Sequence, residues 1–176
     1  MAGVIRESSG HDSHDSKGCK MPVQKKIAGY IGGIIVVFAG KWTVRLANLH
    51  RVEQRLSPET IARLQPLFPN LDLGRIRIKD HANLPPNWFK FMVHADAMSF
   101  NERLYFVNTF NENDPRFLRL LVHELVHTDQ VRRYGGEIRF ACAYGIGHLE
   151  ADGYENNPLE VEAREFARNN PIPPLT

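Results

Sequence analysis

Cysteine is almost absent. Only Cys19 and Cys142 carry a thiol, one in a polar stretch and the other in an apolar one. That rules out a disulfide framework or a thiolate metal site, so any metal must be held by His and carboxylate. Charge of one sign is also lacking. Lys and Arg number 22 against 20 Asp and Glu, and the formal charge of +2 is too small for the clustered basic footprint of a nucleic-acid binder. No internal repeat is visible, and no uncharged run reaches the roughly twenty residues of a membrane span. What remains is ordinary for one soluble core of moderate size: 43% hydrophobic and 24% charged residues in a chain of 176.

Residues 1–24 are short, polar and rich in Ser, Asp, His and Gly, which predicts a disordered tail. His11 and His14, in a repeated His-Asp-Ser, read as part of that solvated tail rather than as a metal site. Lys25-Lys26 then open an apolar segment, 25–43, whose uncharged centre runs from Ile27 to Gly40 (IAGYIGGIIVVFAG). Its length and basic flank suit a signal-peptide core, or a membrane anchor if uncleaved, and Val37-Phe38-Ala39 offers small residues for a signal peptidase. A chain starting at Met21 would have the same layout. These features predict membrane contact through Ile27–Gly40 and an exported or membrane-anchored chain rather than a cytoplasmic one; the competing reading is a helix or strand packed on the core.

The rest predicts an α+β domain over 50–172. Ser57-Pro58-Glu59 caps and opens a helix to about Leu67. Gly74 to Lys79 alternates Ile with basic residues as a half-buried strand does, and Phe89 to Val93 reads as a second short strand. Ala97–Phe100 and Leu104–Val107 form a hairpin about Asn101-Glu102-Arg103. Asp114-Pro115 opens a helix that stops before Gly135-Gly136. A third helix covers Glu137 to Tyr144, and a fourth begins after Asn157 and ends at Asn169-Asn170-Pro171. The expected order is a small antiparallel sheet, then a helix carrying the chemistry, then a C-terminal helix.

The chemistry is carried by His123-Glu124-Leu125-Val126-His127. Residues four apart share one face of a helix, so His123 and His127 can aim both imidazoles at one cation. Glu124, offset by one position, borders that point and suits a general base acting on a metal-activated water. One Zn²⁺ is therefore expected. Catalytic zinc usually takes three protein ligands, and His148, Asp152, Glu160 and Glu162 are the nearest downstream candidates. Glu160 and Glu162 diverge on a helix, so only one can easily face the metal. A hydrolase also needs a donor for the developing oxyanion; Tyr154, Tyr144 and His148 lie in the right part of the chain, with Tyr154 preferred because it precedes the last helix.

The sequence resembles the gluzincin-type metallopeptidase domains. It is most similar to the zinc-peptidase core domain associated with bacterial extracellular contractile injection systems. The resemblance runs from about Leu56 to Ala167, through Leu73 to Ile78, Ala95 to Phe100, Leu104 to Phe106, Leu120 to Gln130 and the stretch Tyr154 to Ala163 (YENNPLEVEA). It implies a minimal zincin-like peptidase domain acting on a peptide or protein substrate. It also implies a third ligand from a Glu on the last helix: the related membrane proteases that process CAAX proteins bind zinc through the first Glu of a Glu-x-Glu-Ala stretch. That points to Glu160, with Glu162 as an outer partner. One departure stands out. Arg164 occupies the place of an Asp that orients a ligating His in those enzymes, so Asp129, Asp152 or Glu162 is expected to take over. The alternative is a non-catalytic binding or assembly module of the same fold, within a secreted or membrane-associated complex.

Overall fold

A computed structural model describes residues 22–84, 96–151 and 153–173. The polar tail up to residue 21, the strand expected at Phe89–Val93 and Asp152 lie outside the described residues.

Local chemistry explains most element boundaries. Helix α1 spans Val23–Ala47, and α2 spans Pro58–Leu64 with the Ser57 hydroxyl accepting from Thr60 N. Strands β1 (Arg77–Lys79), β2 (Ala97–Phe100) and β3 (Arg103–Phe106) follow. Asp114 caps α3 (Pro115–Arg133) by accepting from Arg116 N, with Pro at the first turn. Gly135, at φ +74°, and Gly136 end α3 by bonding back to Arg132 O and Val131 O, a left-handed cap that glycine adopts without strain. Helix α4 (Glu137–Glu150) outlasts the expected Tyr144 by more than a turn. Asn157 caps α5 (Pro158–Asn169) through Leu159 N and also donates to Tyr144 O, tying α5 to α4.

The fold is mixed helix and strand, as expected, but the sheet is not wholly antiparallel. Its order is β1-β3-β2, with β2 antiparallel to β3 and β1 parallel to β3. The reason is that the hairpin places its returning strand in the centre, against β1, and leaves β2 at the edge. Asn101 turns that hairpin at φ +57°, a conformation Asn tolerates better than most residues.

Leu118, Leu121, Val122 and Leu125 recur at helical spacing on α3 and are at most 1% exposed. They pack with Leu64, Ile78, Leu104 and Phe106 into the main core, which α5 joins through Ala163 and Ala167. Tyr105, Met98 and Phe100 point the other way, toward Val44 near the end of α1.

Helix α1 begins inside the expected tail and continues past the apolar segment to Ala47. Its 25 residues span about 37 Å. The stretch Lys26–Ala47, with mean hydropathy 1.6, is the one helix among the described residues long and apolar enough to cross a membrane. It packs chiefly on α4. At that contact a Cβ built on Gly33 would lie 2.0 Å from Ala141 O, and one on Gly145 would lie 2.3 Å from Gly29 O. The helix backbones therefore touch, as small residues permit. Lys41 adds an ion pair to Glu137, with Nζ 2.6 Å from Oε1.

Candidate metal centre

His123 and His127 stand one turn apart on α3 and turn the same way. Their Nε2 atoms are 3.1 Å apart. Glu160, in the first turn of α5, brings Oε2 to 3.3 Å from His123 Nε2 and Oε1 to 3.4 Å from His127 Nε2. The three side chains thus converge, and Glu162 does not join them.

These spacings suit zinc. Bonds of ~2.0–2.1 Å in a tetrahedron put ligand atoms ~3.3 Å apart. Glu160 is 3% exposed, and its Oε2 is buried without a well-formed hydrogen bond, a costly state for a carboxylate unless a cation sits there. Two His and one Glu are also a known catalytic zinc set. The residues present therefore fit the ion.

The surroundings hold the three donors in place. Gln130, fully buried on α3, donates Nε2 to Leu159 O at 2.9 Å and to Glu162 Oε2 at 3.1 Å. Its Oε1 is thereby left facing His127 Nδ1 at 2.8 Å, so Nδ1–H must donate and Nε2 keeps its lone pair for a metal. This corrects the expectation that Asp129 or Glu162 orients a histidine. Asp129 is drawn off by Arg132 and Arg133, and Glu162 by Arg133. Arg164 binds the Glu155 carbonyl and lies over the Tyr154 ring, away from the histidines.

The two candidate tyrosines both stand beside the metal-ligand cluster. Tyr144 Oη donates to Glu160 Oε1 at 2.7 Å and braces the carboxylate, while Tyr154 lines the same cavity. Burial, then the Glu160 charge, pushes both phenols above their usual range, so they remain donors. His148 lines the same cavity, but the third donor beside the two imidazoles is Glu160.

Charge in the site is strongly coupled. Burial would raise the Glu160 carboxyl, but the two imidazoles outweigh it and hold it well below the usual carboxylate range. Burial would lower His127; the hydrogen bond and charge of Glu160 reverse that and bring it to about 9. Glu124 is 4% exposed and raised by burial, against the opposing pull of His127 and His123, and Ser99 on β2 lines the cavity with it. A buried carboxyl raised toward neutrality beside a metal can both take up and return a proton.

Two openings meet here. One is a cavity of about 290 Å³ between α1, β2, α3 and α4, and the other is a more polar groove between α3 and α5; His123, Glu124 and Tyr154 border both. Sequence reasoning missed Gln130, Ser99 and the bracing by Tyr144. Gln130 did carry a signal, as an amide three residues beyond His127 on the same face of the helix. No family model, curated protein or solved structure matches the chain.

Proposed function

We propose that the protein is a zinc-dependent peptidase, with His123, His127 and Glu160 holding one Zn²⁺ and Glu124 serving as general base. The observation that carries this reading is the convergence of His123, His127 and Glu160, with donor separations of 3.1, 3.3 and 3.4 Å, where the last two residues are buried and Glu160 Oε2 lacks a well-formed hydrogen bond. Bound there, zinc supplies Lewis acidity, polarising a carbonyl and bringing a water toward a pKa of ~7. Everything else falls to the chain. Glu124 accepts the proton of the attacking water and passes it to the leaving amine. Gln130 fixes the His127 tautomer, and Tyr144 keeps Glu160 aimed at the ion. Tyr154, at the meeting of the two openings, is the side chain best placed to donate to a developing oxyanion. The substrate is a peptide or protein, and the outward side of α1 supplies membrane contact.

The test pairs metal analysis with hydrolysis of a broad peptide library. Wild-type protein and Glu124→Gln should each carry one zinc, and Glu124→Gln should lose about 10²–10⁴-fold in turnover. Glu160→Ala should lose stoichiometric zinc. Zinc-loaded wild-type protein that cuts nothing would instead support a non-catalytic assembly module.

A further inference from the structure

Helix α1 has two kinds of glycine. Gly33 is required by the contact with α4, because a Cβ there would lie 2.0 Å from Ala141 O, and Gly29 is held tight by it, with Leu149 and Ile146 at 3.2–3.3 Å from a Cβ. Gly32 is not: a Cβ there meets nothing within 4 Å. Glycine is the least favourable residue in a helix interior after proline, so helix formation and packing both argue against it at this position. What Gly32 borders is the cavity beside the metal centre.

That cavity is mostly apolar above its floor. The floor is His123, Glu124 and Glu160; the walls include Met98, Phe100, Phe140 and Leu149, with Ala28 and Gly32 closing it from the α1 side. Its volume of about 290 Å³ is at the lower end for sites that take small organic groups. Ser99, Asn101, Glu137 and His148 also border it, but most of the surface it offers is hydrocarbon, so the matching occupant is an aliphatic or aromatic side chain.

Resting on the peptidase reading above, we propose that this cavity receives an apolar side chain next to the scissile bond. Gly32 sets how large that side chain can be. Helix α1 is then a specificity element, because a side chain at position 32 would project into the space the substrate needs.

The probe is a series of straight-chain acyl hydroxamates, from acetyl to hexanoyl, titrated against the zinc-loaded full chain. The chelating head reaches the metal, and the tail reports on the cavity whether or not any peptide is cut. Wild-type affinity should rise about fourfold per methylene until the cavity is filled. Gly32→Leu should abolish that rise while binding acetohydroxamate as wild type does, and in peptides it should shift kcat/KM from Leu or Phe toward Ala by tenfold or more. Gly32→Ala guards against misfolding. It should raise Tm by about 2–4 °C and still shorten the preferred tail. Wild-type affinity independent of tail length would overturn the proposal. So would equal weakening of every hydroxamate by Gly32→Leu, or a protein that takes up no zinc. Tail-dependent binding without any peptide cleavage would sink the peptidase reading alone and leave the cavity's preference standing.

Discussion

Two parts of this molecule are packed by opposite rules. Around α3, large side chains are locked inside: Leu64, Leu104, Leu118, Leu121 and Leu125 are all at most 1% exposed. Between α1 and α4 the contact is made by Gly29, Gly33, Ala141 and Gly145, with backbone nearly against backbone. The large apolar residues of α1 face outward instead, and Ile27, Ile31, Ile35, Trp42 and Leu46 are each more than half exposed. The first arrangement gains its stability by removing hydrocarbon from water. The second is how helices associate where no such gain is available between them. The candidate metal centre lies on the border, with its potential ligands on α3 and α5 and its cavity roofed by α1 and α4.

If the two parts are held by different forces, they should fail differently. The largest effect is expected in the main core. Leu121→Ala should cost about 2–5 kcal/mol and lower the denaturation midpoint of α3, the sheet and the zinc site together. Gly33→Leu is expected to cost less overall, about 1–3 kcal/mol, because α1 can move off α4 where the main core cannot open. Hydrogen exchange should then speed up in α1 and α4, while α3 and α5 stay protected and zinc is retained. Exchange rising equally in α3 would show one cooperative unit and erase the contrast.

The same division governs what the sequence disclosed. Helix α3 was legible in full: its cap at Asp114-Pro115, its stop at Gly135-Gly136 and its His-Glu-x-x-His face are all local signals. Glu160 was reached only through a resemblance, because nothing local separates it from Glu162. In space the separation is plain, since Arg133 and Gln130 occupy Glu162. The parallel pairing of β1 with β3 was not legible, because strand order is set by long-range packing that residue alternation does not encode. The glycines of α1 were visible only as interruptions in an apolar run. Their meaning depends on α4, more than a hundred residues along the chain.

The smallest expected effect tests the outward side of α1 directly. Ile27, Ile31, Ile35, Phe38, Trp42 and Leu46 recur every three or four residues, so they form one continuous stripe. A stripe that long is unusual on a surface meant only for water, yet nothing else among the described residues covers it. Replacing Ile31 and Ile35 with Ser should therefore leave stability within about ±0.5 kcal/mol for each change, as for other exposed sites. Zinc content should not change. Co-flotation with lipid vesicles, however, should fall relative to wild type, since the substitutions remove hydrocarbon that only a bilayer would bury. A loss of more than 1 kcal/mol per site in lipid-free solution would mean that the stripe is already covered there by a second copy, and α1 would then follow the packing rule of the main core.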